Sequence, residues 1–143
     1  MAICEKIYEN KDVSAFVMSG DIDIKNYQKI SNILNEESKK KKYVLVDLEG
    51  IDYIDTCGLS TFVKPLNNPG KILLMNTNSY IQGIFHIIGL DYHYKKLDEK
   101  YDVKYNYPEL DGCIDEMFNE LNKHYEKKKN PSLFSTINGK TYF

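Results

Sequence analysis

Two short and almost entirely apolar segments, residues 43–48 and 71–75, alternate along this chain with segments whose apolar residues recur at helical spacing. A continuous apolar run of this length is typical of a strand buried on both faces of a parallel sheet. Strands that alternate with helices form βαβ units around a largely parallel sheet. The pattern therefore predicts an α/β fold.

The other elements follow from the same kind of pattern. Residues 3–9 and 13–18, separated by an Asn-Lys-Asp turn, predict an N-terminal β-hairpin, which makes the sheet mixed. Helices are predicted over about 25–38, 57–64, 79–88 and 109–127, and residues 94–97 and 103–105 are two further candidate strands. The predicted architecture is a mixed, mostly parallel sheet of four to five strands with about four helices.

The length of 143 residues is that of one domain. We expect residues 1–127 to form this domain and residues 128–143 to be a loop-like C-terminal tail. The tail nevertheless contains Phe134, Ile137, Tyr142 and Phe143, which suggest that it docks on the domain.

Composition and spacing argue against several kinds of site. The net charge of −2 gives no footprint of a nucleic-acid partner, and the absence of arginine excludes an arginine finger. Cys4, Cys57 and Cys113 form no CxxC pair, so neither a disulfide framework nor a metal site is predicted. Neither GxGxxG nor GxxxxGK[ST] occurs, and no cofactor is predicted. No apolar run has signal-peptide or membrane-spanning length, so we expect a cytoplasmic protein without membrane insertion.

Two segments follow predicted strands and should lie at the carboxyl edge of the sheet, where α/β proteins place their binding sites: residues 20–23 and 55–59. The hydroxyl of Thr56 would lie at the start of a short helix, where backbone N–H groups favour a phosphate. A phosphate there would add a charge of about −1.5 to −2 beside Asp55 and change the surface electrostatically. The other interpretation is that Asp55 or Thr56 only caps the helix.

Three segments, taken in order, resemble the STAS domain, the fold of bacterial anti-sigma factor antagonists. Residues 20–23 (GDID) match the GELD-type turn that follows the second strand in the family. Residues 47–60 (DLEGIDYIDTCGLS) match its DLSGVxFIDSSGLG-type stretch. Residues 72–91 match the stretch that covers the fourth strand and the third helix, and the whole resemblance spans about residues 3–127.

The resemblance implies a function and a set of site residues. In the family, the hydroxyl residue after the motif aspartate, here Thr56, is phosphorylated by a partner anti-sigma factor that is a serine/threonine kinase. The unphosphorylated antagonist binds the anti-sigma factor and releases the sigma factor, and phosphorylation blocks this binding. Such a switch needs no catalytic residues, and we expect a monomer or weak dimer. The implied partner-binding residues are Asp21, Asp23, Asp55, Thr56, Cys57, Gly58, Leu59 and Ser60.

The sequence departs from the family in two places. Cys57 stands where the family has a second serine or threonine, and a cysteine here is expected to pack as a small apolar group. The segment that follows, residues 58–71 with Pro65, is a few residues shorter than the usual second helix. That helix belongs to the partner-binding face of the family, so this departure leaves the identity of the partner open.

Other functions stay open at this point. Some STAS domains are subunits of lipid-transport ABC systems or other scaffolds, in which the threonine helps to hold a partner without phosphorylation. A response-regulator receiver domain has the same class of fold and an acidic phosphorylation site. The pairs Asp21/Asp23 and Asp52/Asp55 could also serve as paired carboxylates in an enzyme, although no base or nucleophile is placed with them.

Overall fold

A computed structural model of the chain describes residues 3–129. It contains one sheet with the strand order β1-β2-β3-β4. The strands are β1 (Ile3–Glu9), β2 (Val13–Ile22), β3 (Tyr43–Ile54) and β4 (Lys71–Met75). Strand β1 is antiparallel to β2, whereas β2, β3 and β4 are mutually parallel. The described residues therefore form the mixed, mostly parallel sheet that the sequence predicts.

Helices cover both faces of the sheet. They are α1 (Tyr27–Lys40), α2 (Thr56–Leu59), α3 (Ser79–Ile88), α4 (Lys100–Asn106) and α5 (Ile114–Lys129). One apolar core lies between the sheet and helices α1 and α3, and includes Phe16, Leu34 and Phe85. A second core lies between the opposite face and helices α4 and α5, and includes Val17, Val103 and Leu121. The predicted α/β class is confirmed, with four strands and a very short second helix.

Strands β2 and β3 are longer than the sequence pattern predicts. The predicted strand ends at residues 18 and 48 are wrong, because β2 continues to Ile22 and β3 continues to Ile54. Two irregularities in the pairing interrupt the apolar pattern, and Gly20 adopts a positive φ of 93° that most side chains disfavour. Pairing nevertheless resumes beyond them, and Ile22 lies opposite Ile54.

The second helix does not run over residues 57–64 as predicted. Helix α2 ends at Leu59 and is followed by two 3₁₀ turns, Ser60–Phe62 and Lys64–Asn67. Pro65 lies inside the second turn instead of ending a helix. A proline is tolerated there because the first turn of a helix leaves backbone N–H groups without an intrahelical partner.

Residues 94–106 differ from the two predicted strands. Leu97 makes a single parallel bridge with Met75, and the predicted strand at 103–105 is wrong because these residues belong to α4. The carboxylate of Asp102 accepts hydrogen bonds from the backbone N–H groups of Asp98 and Glu99, at 2.9 and 3.0 Å. These bonds satisfy donors at the start of the helix and so favour it over a strand.

The last helix begins and ends later than the predicted range of 109–127. A 3₁₀ turn, Pro108–Leu110, precedes α5, and α5 extends to Lys129. The first two residues of the predicted loop-like tail are therefore helical. Residues 130–143, with the four apolar residues noted above, lie outside the described residues. Within residues 3–129, no helix combines the length and the apolar character needed to cross a bilayer.

Candidate functional site

The candidate site lies at the edge of the sheet where β2 and β3 end. Ile22 and Ile54 are paired at the last position of the two strands. The backbone N–H of Asp55 donates to the carbonyl of Ile22 at 3.1 Å, which joins the two segments directly after the strands. The prediction that residues 20–23 and 55–59 share one edge is therefore confirmed.

Asp55 links the loop after β2 to the start of α2. Its Oδ1 accepts a hydrogen bond from the backbone N–H of Gly58 at 2.8 Å, which makes Asp55 the N-cap of the helix. Its Oδ2 accepts a second bond from the backbone N–H of Ile24 at 3.0 Å. Of the two residues that could have capped this helix, the structure thus selects Asp55. Thr56 is the first helical residue, and its side chain is exposed.

Gly58 allows α2 to approach β2 more closely than any other residue would. A Cβ atom at this position would lie 2.3 Å from the carbonyl oxygen of Ile22 and 2.9 Å from Cγ2 of Ile54. Both distances are shorter than real Cβ contacts, so the site needs a glycine here.

The loop after β2 is held by its own polar groups. Asp23 accepts a hydrogen bond from the backbone N–H of Lys25 at 2.9 Å. Asn26 accepts one from the backbone N–H of Asp23 at 3.0 Å and donates one to the carbonyl of Asp21 at 2.8 Å. Sequence reasoning missed Asn26, although an asparagine three residues after an aspartate in a loop is a recognisable turn signal. The half-buried Asp21 and Asp23 thus lie in an ordered loop beside Asp55.

The remaining predicted contact residues differ in how far they are exposed. Cys57 is a half-buried free thiol, and the half-buried Leu59 packs against the core formed with α1 and α3. Ser60 is exposed, and its hydroxyl donates to the carbonyl of Cys57 at 2.6 Å. Of the residues from 56 to 60, Thr56 and Ser60 are exposed, whereas Gly58 is buried.

Three apolar side chains that sequence reasoning missed lie in the exposed surface close to this edge. Ile24 is 67% exposed, Tyr53 is 47% exposed and Tyr80 is 45% exposed. The two tyrosine rings stack with centroids 6.3 Å apart, and the Tyr80 hydroxyl donates to the carbonyl of Ile54 at 3.4 Å. Exposed aromatic and aliphatic groups of this kind favour a protein interface. Local sequence gives no signal for them, because their exposure depends on what packs above the sheet.

A groove of about 590 Å³ adjoins the site between α1 and the turn that follows α2, with Tyr27, Ser60 and Val63 among its lining residues. Within residues 3–129, no set of three or more His, Cys, Asp or Glu residues is placed to hold a metal ion. The arrangement therefore presents two exposed hydroxyl residues, Thr56 and Ser60, together with fixed carboxylates and an apolar surface, which suits it to binding a protein.

A model of the STAS domain family matches residues 6–100, about two thirds of the chain. The chain belongs to the STAS domain family. The matched residues contain the whole sheet edge described above, including Asp55 and Thr56.

Solved structures share the fold at low sequence identity. The phosphorylated form of the Bacillus cell fate determinant SpoIIAA is 12% identical, with a TM-score of 0.57 over 72% of this chain and 98% of that one. An anti-sigma factor antagonist from Mycobacterium paratuberculosis is 15% identical, with a TM-score of 0.57 over 69% and 87%. A sulfate transporter family protein from Wolinella succinogenes is 12% identical, with a TM-score of 0.55 over 65% and 83%.

Asp47, the first residue of the central STAS motif, is buried within β3, opposite Val17 and Met75. Its carboxylate accepts hydrogen bonds from the backbone N–H of Glu49 at 2.9 Å and from the Asn76 side chain at 3.1 Å. Burial penalises the charged form and raises the pKa of Asp47 above its usual value, although these bonds oppose the shift. The native state therefore binds this proton more tightly than the unfolded state does.

We expect Asp47→Asn to change how stability depends on pH. A raised native pKa makes the unfolding free energy fall as pH rises from about 4, the value of an unfolded aspartate, through the native pKa of Asp47. The variant should lose this contribution and show less decline between acidic and neutral pH than the wild type. The free energy of unfolding in urea is measured over this pH range for both proteins. The control is Asp52→Asn, which removes an exposed carboxylate from the same strand. Identical pH profiles for wild type and Asp47→Asn would contradict the prediction.

Proposed function

We propose that this protein is an anti-sigma factor antagonist, a non-enzymatic switch that acts in the cytoplasm as a monomer or weak dimer. In this proposal a partner anti-sigma factor with serine/threonine kinase activity phosphorylates Thr56. The unphosphorylated form binds the anti-sigma factor and so releases the sigma factor. The observation that carries the proposal is the exposed Thr56 at the start of α2, at the shared edge of β2 and β3.

The surroundings of Thr56 explain how a phosphate would act as a switch. Asp55, the preceding residue, is held by two backbone N–H groups and cannot turn away without losing both bonds. A phosphate of charge about −1.5 to −2 would therefore be repelled by a fixed carboxylate. Because Thr56 is exposed and makes no part of either core, this repulsion would change the surface and leave the fold in place.

The apolar groups nearby support a protein partner. Ile24 and Tyr80 supply exposed apolar area at the same end of the sheet as Thr56. A charged group introduced into an interface of this kind has to be desolvated when the partner binds, which weakens the complex. The same surface thus serves binding when Thr56 is free and opposes it when Thr56 is phosphorylated.

The proposal is tested by incubating the purified protein with extract of its own cells and ATP, and mapping phosphate by mass spectrometry. We expect phosphate on Thr56 in the wild type and none in Thr56→Ala. Ser60→Ala is the matched control, because Ser60 is an exposed hydroxyl residue in the turn that directly follows α2, and its replacement should leave the labelling of Thr56 unchanged. An unmodified Thr56 in extract whose kinases are active would contradict the switch.

A second candidate function comes from the likeness to a sulfate transporter family protein. In that case the domain would be a STAS subunit or scaffold of a transport system, such as a lipid-transport ABC system, and would hold its partner without phosphorylation. Capture of partners with Thr56→Ala and Thr56→Glu separates the two functions. An antagonist should lose a kinase-type partner in the glutamate variant, whereas a transport subunit should capture an ATPase with a Walker A motif.

A further inference from the structure

We call the end of the sheet at which β2 and β3 terminate its upper end. On the face that carries α5, this end still has large apolar side chains exposed. Strand register places Ile3 opposite Ser19, Ser19 opposite Gly50, and Asp21 opposite Tyr53. Paired residues share a face, and these five lie on the face that lower down contributes Val17 and Leu45 to the core with α5. We call the five residues Ile3, Ser19, Asp21, Gly50 and Tyr53 the upper sheet face.

Residues 3–129 cover the upper sheet face only in part: Ser19, Asp21 and Gly50 are half-buried, and the ring of Tyr80 stacks on that of Tyr53. Ile3 is 53% exposed and Tyr53 is close to half exposed, whereas Val17 and Leu45, lower on the same face, are buried beneath α5. The same side of one sheet thus has a covered lower half and a partly covered upper half, in which the two large apolar side chains of Ile3 and Tyr53 stay about half exposed.

Helix α5 points toward this upper half. Near its start, Glu116 accepts a hydrogen bond of 3.5 Å from the Tyr8 hydroxyl, close to the hairpin turn. Further along, Nδ1 of His124 lies 3.6 Å from Oε2 of Glu5, and Glu5 is paired with Val17. The five further residues to Lys129 advance the helix by about 7.5 Å, close to the rise of two strand residues. The chain therefore leaves α5 at about the level of Ile3.

The segment that continues from this point is suited to the upper sheet face. Residues 130–143 contain five large apolar or aromatic residues, Leu133, Phe134, Ile137, Tyr142 and Phe143, and can reach about 46 Å when extended. Their one charged side chain is Lys140, and they contain no acidic residue. The upper sheet face contains Asp21 and is flanked along β3 by the exposed Glu49 and Asp52.

We propose that residues 130–143 dock on the upper sheet face of the same chain. The apolar side chains of the segment cover Ile3 and Tyr53, and Lys140 lies among the acidic groups around them. Because Asp21 and Tyr53 precede the strand ends at Ile22 and Ile54 by one residue, the docked segment borders the edge that carries Thr56. This contact is independent of phosphorylation and of the proposed function.

The test uses the full chain with Phe143→Trp, since the natural sequence contains no tryptophan. We expect a blue-shifted emission maximum and weak quenching by acrylamide. Replacing both Ile3 and Tyr53 by lysine should shift the emission to that of the urea-unfolded chain. The matched control replaces Ile87 and Tyr92, which are 82% and 90% exposed elsewhere, and should leave the emission unchanged.

Several outcomes would overturn the docking. One is a tryptophan that is fully accessible to acrylamide in the otherwise native chain. Another is an emission that responds to the control replacements instead of those on the upper sheet face. If the tryptophan is protected from acrylamide only after the protein concentration is raised about a hundredfold, the contact is with a second copy of the chain. As an independent measurement, Phe134→Ser with Ile137→Ser should increase hydrogen exchange at residues 49–54, and unchanged exchange would contradict the proposal.

Discussion

Replacing Gly58 with alanine is expected to lower the free energy of unfolding by about 3 kcal/mol, the upper end of the usual cost of overpacking. The added Cβ would lie 2.3 Å from the carbonyl oxygen of Ile22, and a backbone atom in a sheet cannot move aside as a flexible side chain can. Relief of the contact requires α2 to move away from β2. That movement would also stretch the bonds by which Asp55 joins Gly58 to Ile24. Urea unfolding followed by circular dichroism measures the loss.

The matched control is Gly83→Ala. Gly83 lies inside α3, and a Cβ there would meet nothing within 4 Å. Alanine has the higher helix propensity, so this variant should gain about 0.5–1 kcal/mol. Two variants with the same chemical change should thus shift stability in opposite directions. Equal stability of Gly58→Ala and the wild type would show that α2 is not held against β2 in this way.

Replacing Phe62 with alanine is expected to cost about 3–5 kcal/mol, the usual range for a fully buried phenylalanine. Phe62 is buried in the turn that directly follows α2. The centroid of its ring lies 5.8 Å from that of Phe85 and 6.4 Å from that of Tyr94. Its carbonyl also accepts a hydrogen bond from the Tyr94 hydroxyl at 2.5 Å. A cavity here removes the apolar support beneath the candidate site.

Phe62→Leu provides the comparison, because it keeps much of the volume and should lose roughly half as much stability as the alanine variant. The free energy of unfolding in urea is measured for both. A loss below about 1 kcal/mol in Phe62→Ala would mean that the surroundings collapse into the space without cost. It would contradict a role for this ring in holding the turn after α2.

Local sequence is sufficient for elements whose signals lie within a few residues. Helix α3 begins where predicted, with Asn78 accepting a hydrogen bond from the backbone N–H of Ile81 at 2.8 Å. It ends at Gly89, which adopts the left-handed φ of 82° expected of such a C-cap. Strand β4 also has its predicted bounds, Lys71–Met75, because a fully buried strand leaves a continuous apolar run.

The sequence was less informative where distant segments decide the structure. The extensions of β2 and β3 depend on pairing across two irregularities, which break the alternation that a local pattern requires. Helix α4 was predicted in part as a strand, because Val103 and Tyr105 suit a strand as well as a helix. The exposed group of Ile24, Tyr53 and Tyr80 was missed, since exposure depends on which elements cover the sheet.

The candidate site shows the same division. The sequence by itself determined the α/β class, the positions of Asp55 and Thr56 after a buried strand, and the meeting of two loops at one sheet edge. Only the tertiary structure decided that Asp55 caps α2 and also binds the backbone of Ile24, 31 residues away. Caps and buried strands depend on neighbours along the chain, whereas the contact with Ile24 depends on the register that brings Ile22 opposite Ile54.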